Sequence, residues 1–276
     1  MVDEVAKSLK LNRNLSNNLA KAIELDRAIK IGWGAQGDAK PKEGELGIAS
    51  HLPKGARGRL LGNLGEFTAA CCKGGTFTLE GNALGWFGAF SSEGRLVVER
   101  DAGVRCGHGM TGGRIFCQGS VGDEAGASLD GGTVIVRGHA GQRTGIGMKN
   151  GLIVDDGDCK ADAGQGMTGG RIVVDGRCLP EGDGAKQRTL TKAEHKEING
   201  MLKEHDLSVS EDAVLIEADD ERAIPATTPM QTVWGDFGEI GLISGETPID
   251  SSSPVSYTHL RAHETLRYLV CRLLLE

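Results

Sequence analysis

The strongest constraint on the fold is an internal repeat of 19 residues. From Gly62 to Asp175 the sequence divides without gaps into six units, from "GNLGEFTAACCKGGTFTLE" to "GDCKADAGQGMTGGRIVVD". We number the positions of each unit as columns 1 to 19, so that Gly62 lies in column 1. Column 14 is glycine in all six units: Gly75, Gly94, Gly113, Gly132, Gly151 and Gly170. A fixed period of this kind is typical of a solenoid, in which each repeat is one turn stacked on the next.

The glycine columns and the β-forming residues between them predict an all-β fold, a parallel β-helix. Each turn would consist of two short strands separated by two corners. At the corners glycine reaches positive φ without steric cost and lets successive backbones stack closely. Turns in such a helix lie about 4.8 Å apart. We expect two inward ladders of side chains. Column 16 would contribute Phe77, Leu96, Ile115, Val134, Ile153 and Ile172, and column 11 would contribute Met110, Leu129, Met148 and Met167.

Residues 107–138, "GHGMTGGRIFCQGSVGDEAGASLDGGTVIVRG", raise an alternative, because their glycine pairs resemble a phosphate-binding loop. That interpretation requires one glycine-rich turn between a strand and a helix, with a Lys-Ser or Lys-Thr ending for the Walker type. Here the glycines recur in six units and no helical pattern follows them. The repeat therefore favours architecture over a nucleotide site.

The segments on either side of the repeat are expected to cap the open ends of the solenoid. Apolar residues at helical spacing before residue 30 (Val5, Leu9, Leu15, Leu19, Ile23) predict a helical arm, followed by a linker at 34–46 and a lead-in at 46–61. Thr191 and Glu194 form the pattern of a capping box, which predicts a helix start. Residues 213–217, "AVLIE", are a candidate strand. We expect four parts: 1–61 (arm, linker and cap), 62–180 (β-helix), 181–254 (helix and extended flank) and 255–276.

The final part has a different origin from the rest. Its "VSYTHLRAHET" and "LVCRLLLE" resemble the translation of a sequencing-library adapter. We therefore expect residues 255–276 to be an artefact and give Cys271, His259 and His263 no functional weight. In that case the evolved chain is cut short before Val255, some residues beyond "MQTVWGDFGEIGLIS".

Composition and the character of the N-terminus limit which binding partners and which cellular compartment we expect. The net charge of −7 disfavours a general nucleic-acid or anionic-membrane binder. The start, "MVDEVAKSLK", lacks the pattern of a signal peptide, and no apolar run approaches the roughly 20 residues of a membrane span. Seven cysteines, an odd number, fit reduced thiols. These observations predict a cytoplasmic protein.

The units "GDEAGASLDGG", "GIGMKNG" and "GQGMTGGRIVV" resemble the GXGXG β-helix superfamily over residues 62–178, and more loosely over 191–205. This superfamily includes the C-terminal domain of the glutamate synthase large subunit and the GXGXG-type subunit of formylmethanofuran dehydrogenase. It also includes a subunit of the formyltransferase/hydrolase complex and stand-alone glutamate-synthase-like subunits. The resemblance implies a right-handed parallel β-helix that holds other subunits together.

The resemblance also implies that chemistry belongs to partner subunits, so we expect no catalytic, cofactor-binding or metal-binding residues in this chain. The favoured function is a scaffold subunit of an oxidoreductase of one-carbon metabolism, of the formylmethanofuran dehydrogenase type. Its partners would carry molybdopterin or tungstopterin and Fe–S clusters. The alternative is a glutamate-synthase-type subunit working with an FMN synthase subunit and a glutamine amidotransferase subunit. An independent β-helix hydrolase or a surface-adhesive solenoid is less well supported, because no clustered acids and no export signal are apparent.

Four residues are candidates for an interface. Trp86 and Phe87 replace the small residues common in columns 6 and 7, and an exposed aromatic pair on a solenoid marks a contact surface. Arg95 and Arg114 stack in column 15, where Arg171 recurs, and could clamp an anion or a partner carboxylate. The alternative for these arginines is a solvated face with neighbouring acids.

The remaining polar candidates have plainer interpretations. Cys159 and Cys178 share column 3 of adjacent turns, so they could form a disulfide or half a metal site, although a reduced ladder in the core is favoured. Cys71 and Cys72 alternate faces, so only one can point inward. We expect His108 and His139 to be surface residues, and Asp123 and Glu124 to be solvated.

Overall fold

The computed structural model describes residues 2–32 and 44–219. The chain divides into two compact units, Met1–Ala223 and Ile224–Glu276, and all the described residues belong to the first. The extended flank and the adapter-like tail therefore lie outside the described residues. So does most of the predicted linker.

The repeat folds into a β-solenoid, as predicted. Ten strands form one sheet in the order β1-β2-β3-β4-β5-β6-β7-β8-β10-β9, and neighbours from β1 to β8 are parallel. From β2 onward most parallel partners are 19 residues apart, as in the pair Arg95 and Arg114, whereas the first residues of β3, β5 and β6 pair 20 residues on, before a register shift. The strands are β1 Ile29–Ile31, β2 Arg57–Leu61, β3 Lys73–Glu80, β4 Glu93–Val98, β5 Thr111–Cys117, β6 Asp130–Val136, β7 Asn150–Asp155, β8 Arg171–Val174, β9 Ala185–Thr189 and β10 Val214–Ala218.

Each turn has one true strand, whereas the sequence predicted two. The other side of the solenoid is joined by single-residue bridges in column 3, such as Ala83 with Ala102. The reason lies in columns 6, 8 and 10, where the backbone is left-handed. In the second unit φ is +64° at Trp86, +65° at Gly88 and +58° at Phe90. A left-handed residue at every second position cannot continue an extended strand.

The solenoid core consists of stacked columns. Every residue predicted for the inward ladders of columns 16 and 11 is buried, so both predictions are confirmed. Column 3 adds a third buried ladder, formed by Leu64, Ala83, Ala102, Val121, Ala140 and Cys159. Since each residue stacks on its counterpart one turn away, the core is continuous along the solenoid.

Glycine serves two different needs in the repeat. In column 14 the backbone has positive φ throughout, as at Gly113 with φ +83°, which confirms the predicted role at the corner. In column 1 glycine is needed because the backbones of successive turns approach each other closely. A Cβ atom on Gly138 would lie 2.7 Å from the carbonyl oxygen of Gly119 in the turn before, which is closer than carbon and oxygen can pack.

The solenoid continues one turn upstream of the predicted start. Strand β2 pairs with β3 through Arg57 and Thr76, and the N–H of Gly47 donates to the carbonyl of Glu66 at 2.8 Å. Residues 44–61 are therefore a turn of the solenoid, whereas the sequence predicted only a lead-in. The repeat is hidden because part of this turn is one residue out of register: its left-handed residues Gly47, Ala49 and His51 lie 20, not 19, residues before their counterparts in the next turn.

Helix α1 (Val2–Glu24) covers the first turn, so the predicted N-terminal helix is confirmed. Leu15 and Leu19 are buried in the same apolar cluster as the solenoid core. The side chain of Asn12 accepts from the N–H of Ala49 at 3.1 Å and donates to the carbonyl of Gly47 at 2.9 Å. These contacts satisfy backbone groups that the end of a solenoid would otherwise leave unpaired.

The chain reverses at the other end of the solenoid. Strand β10 runs antiparallel to both β8 and β9, and its position confirms the candidate strand at 213–217. Helix α2 (Lys192–Leu202) begins with the predicted capping box at Thr191 and Glu194 and runs into a 3-10 helix, Lys203–His205.

Helix α2 and the residues after it pack on the outer face of strands β5 to β8. The cluster contains Phe116, Ile135, Leu152, Val154, Val173, Leu190, Ile198, Leu202, Val209, Ala213 and Leu215. The sequence signal for this packing is that these strands read as continuous apolar runs, such as "VIV" and "IVV", which is typical of strands buried on both faces.

Candidate interaction surfaces

A cluster of rings lies at one corner of the first three turns of the repeat. Trp86 stacks on Phe67 with ring centroids 5.3 Å apart, and on Phe90 at 6.2 Å. His108 packs edge-on against Trp86 at 4.7 Å and against Phe90 at 5.2 Å. We call these four residues the aromatic corner. They meet because columns 6, 9 and 10 follow one another around the left-handed turn.

The aromatic corner is partly open to solvent. Phe90 is 47% exposed, and two aliphatic side chains of the same turns, Leu84 and Val104, are 55% and 47% exposed. Trp86 is half-buried, less open than the exposed side chain that the sequence predicted, and its role at an interface stays a prediction. The prediction is wrong for Phe87, which is fully buried, because column 7 points into the core between two left-handed residues. The sequence did not single out Phe67 or Phe90.

Column 6 continues from the aromatic corner as a ladder of charges. The guanidinium of Arg105 lies 4.9 Å from the Trp86 ring centroid, a cation–π distance. Arg105 then pairs with Glu124 at 2.6 Å, and Glu124 pairs with Arg143 at 2.9 Å. Burial raises the pKa of Glu124, but hydrogen bonds from the two arginines outweigh it and hold the pKa below its ordinary value. The expectation that Glu124 is simply solvated is therefore wrong.

His108 is half-buried and not a plain surface residue, which corrects the prediction. Burial lowers its pKa to about 4, and the charge of Arg105 acts in the same direction while Glu124 opposes it. The imidazole is thus neutral at pH 7. Its Nδ1 atom is buried and has no hydrogen-bond partner among the described residues.

Column 2 forms a polar ladder that the sequence pattern did not predict. The side chain of each residue accepts a hydrogen bond from the backbone N–H of the column-2 residue one turn later. The acceptors are Asn63, Asn82, Asp101, Ser120, His139 and Asp158, at 2.8–3.1 Å. His139 belongs to this ladder through Nδ1, so its role is structural even though the residue is exposed. Asp123 does the same for Gln142 in column 5. The sequence did contain a signal for this ladder, because every one of these residues has a side-chain hydrogen-bond acceptor.

The stacked arginines of column 15 contact acids of the same chain. Arg95 and Arg114 are register partners and share the carboxylate of Glu204, at 3.5 and 3.0 Å. Arg171 pairs with Glu197 of α2 at 2.7 Å. Neighbouring acids were the alternative stated for these residues. A further role of Arg95 and Arg114 at an interface stays a prediction.

A cavity of about 350 Å³ lies beside Glu204, between the outer sheet face and the 3-10 helix. Arg95, Arg137 and His205 are among its lining residues. His205 is buried against the Phe116 ring, with centroids 4.1 Å apart, and its Nε2 atom has no hydrogen-bond partner among the described residues. Burial lowers the pKa of His205, and the nearby arginines lower it further.

The cysteine pair of column 3 is stacked and reduced. Cys159 and Cys178 are bridge partners in adjacent turns, and both are free thiols. Burial raises the pKa of Cys159 to about 12 and that of Cys178 to about 11, so neither is a thiolate at neutral pH. Cys72 is buried whereas Cys71 is half-exposed, as the alternation of faces predicted.

A buried carboxyl group lies near these thiols. Asp155 occupies column 18, where the other turns have Leu79, Val98, Cys117, Val136 and Val174. Its side chain is fully buried, and burial raises its pKa to about 8. One oxygen accepts from the N–H of Gly157 at 3.4 Å, and the other has no partner among the described residues.

Within residues 2–32 and 44–219, no three His, Cys, Asp or Glu side chains are grouped so that they could hold a metal ion. No helix in this part of the chain has the length and apolar character needed to cross a membrane. The sequence matches no protein-family model, and a search of curated proteins gives no match.

Proposed function

We propose that this chain is a scaffold subunit of a multi-subunit oxidoreductase of one-carbon metabolism, equivalent to the GXGXG-type subunit of formylmethanofuran dehydrogenase. The observation that carries the proposal is the aromatic corner, a partly exposed cluster of rings on the side of the solenoid. Large exposed aromatic side chains that cluster on a fixed surface are typical of protein–protein contact sites. The stacked 19-residue turns agree with what the resemblance to the GXGXG β-helix superfamily implies.

In this proposal the solenoid supplies position and its partners supply chemistry. The corner would receive a partner subunit, with Trp86 and Phe90 as the anchoring side chains. Burying their exposed faces contributes about 25 cal/mol for each Å² of apolar surface removed from water. The partners would carry molybdopterin or tungstopterin and Fe–S clusters, and this chain would bind none of these groups itself.

The test is co-purification of the tagged full chain from its native host. We expect the wild type to bring down subunits that contain molybdenum or tungsten with iron and labile sulfide, measured by metal analysis and absorbance. The double variant Trp86→Asn, Phe90→Asn should lose these subunits. Asparagine suits both positions because it tolerates the left-handed backbone found there.

The matched control is the double variant Arg143→Asn, Ser128→Asn. It changes columns 6 and 10 in later turns, where φ is also +54° at both residues. The control should retain the partner subunits. Partners that carry FMN in place of pterin and metal would select the glutamate-synthase type instead. A wild-type chain that purifies alone would overturn both assignments.

A further inference from the structure

The cavity beside Glu204 combines cationic groups with an apolar wall. Arg59, Arg95 and Arg137 contribute guanidinium groups, and Phe116 and Val97 contribute apolar surface. Its volume of about 350 Å³ falls in the range of small-molecule sites. The parts come from two elements, the outer sheet face and the 3-10 helix Lys203–His205, so the cavity exists only in the folded unit.

The arginines around this cavity differ in the carboxylates with which they pair. Arg59 is saturated, because it pairs with both Glu80 and Glu99. Arg95 and Arg114 share the single carboxylate of Glu204. The remaining lining carboxylate, Asp206, is exposed and forms no ion pair with any described residue.

Three guanidinium groups and three carboxylates line the cavity, and Arg137 differs from the other two arginines in its partners. One of its guanidinium nitrogens donates to the backbone carbonyl of His205 at 3.2 Å, and its ring contact with Phe116 is long, at 6.0 Å. Within the described part of the chain it pairs with no carboxylate. Its other donors form no hydrogen bond with a described residue, although burial raises the pKa of the nearby Asp156 and the charge of Arg137 acts to lower it.

From this arrangement we infer that the cavity is a binding site for the phosphate group of a small organic phosphate ester. Guanidinium groups bind oxyanions through paired N–H donors, and Arg137 has donors that no described residue uses. Thr78 and Gln118 add polar side chains to the lining, and Phe116 and Val97 would contact the organic part. The chain as a whole has a net charge of −7, so attraction of an anion here would be local.

The experiment is a calorimetric titration of the full chain with phenyl phosphate, inorganic phosphate and benzoate. We expect phenyl phosphate to bind at least fivefold more tightly than inorganic phosphate, since only the ester reaches the apolar wall. Benzoate should bind more weakly than phenyl phosphate. Equal binding of benzoate would overturn the assignment to phosphate, and equal binding of inorganic phosphate would overturn the assignment to an ester. No binding of any probe overturns the site.

Two variants with opposite expected effects make the test specific. Arg137→Gln should weaken phenyl phosphate binding at least tenfold. Glu204→Gln should strengthen it severalfold, because it frees Arg95 and Arg114 from their shared carboxylate. The matched control, Arg100→Gln, removes the same charge from an exposed residue outside the cavity and should leave the affinity unchanged. Equal affinity in all three variants would show that the probe binds elsewhere.

Discussion

A carboxyl group inside an apolar column is the least expected residue of the solenoid. Asp155 takes the place that Val136 and Val174 hold in the neighbouring turns, and one of its oxygens has no described partner. Desolvation disfavours the charged form, so the folded protein holds the proton up to a pH of about 8. In the unfolded chain an aspartate loses its proton near pH 4. The folded state therefore binds one more proton than the unfolded state between these two values.

Stability should consequently fall as the pH rises from 5 to 9. The contribution of Asp155 is complete below pH 4 and is lost as the pH passes through about 8. The loss between pH 5 and pH 9 should be on the order of 4 kcal/mol, from about 1.36 kcal/mol for each pKa unit. We expect Asp155→Asn, which mimics the protonated group, to flatten this dependence in urea unfolding curves. Asp183→Asn, a change at an exposed aspartate, should keep the wild-type slope.

Single residues also show where sequence reasoning stops. The sequence predicts Phe87 at the surface beside Trp86, but the left-handed backbone in columns 6 and 8 turns it inward. A period in the sequence reveals which positions are equivalent, whereas the direction of each side chain depends on φ and ψ. Likewise, nothing local in the sequence indicates that Arg137 reaches the carbonyl of a residue 68 positions away.

At the scale of elements, the corner glycines were predictable because the positive φ that they provide is a local requirement and recurs in all six units of the repeat. Gly113 illustrates this requirement, since its φ is +83° and it also lies very close to the backbone of the turn before. A Cβ atom there would lie 2.9 Å from the carbonyl carbon of Glu93 and 3.0 Å from the oxygen of Gly94. The upstream turn was not predictable from the 19-residue period, because its left-handed residues lie 20 residues before their counterparts, as Ala49 lies before Ala69. The polar ladder of column 2 was not apparent in the sequence, because chemically different side chains (amide, carboxylate, hydroxyl and imidazole) all accept from the backbone N–H of the next turn.

Two glycine substitutions should have opposite effects on stability. Gly113→Ala should destabilise the protein by more than about 2 kcal/mol, because it adds left-handed strain to a backbone clash. Gly200→Ala should stabilise it by about 1 kcal/mol, since Gly200 lies inside α2 with open space around it and alanine favours the helix. Thermal and urea unfolding of both variants would check this. A neutral Gly113→Ala would contradict the proposed role of column 14.

At the largest scale, the described part of the chain is a stack of turns in which each turn contacts mainly its neighbours. In such a stack stability is close to a sum of turn and interface terms, and the ends are the weak points. At the N-terminal end, α1 buries Leu15 and Leu19 and bonds through Asn12 to the turn at 44–61. At the other end, β9 and β10 follow β8, and β10 runs antiparallel to it, which stops the parallel stacking. Both ends thus use an element that the repeat does not contain.

Weakening α1 should therefore loosen the stack from one end. Leu15→Ala should cost about 2–4 kcal/mol of unfolding free energy, as expected for a buried leucine, whereas Leu9→Ala in the same helix should cost less than about 1 kcal/mol because Leu9 is 36% exposed. Hydrogen exchange should show a graded loss of protection in the Leu15→Ala variant, largest in β2 and smallest in β7. Equal loss in both strands would mean that the solenoid opens as one cooperative unit, and unchanged protection in β2 would mean that α1 does not cap it.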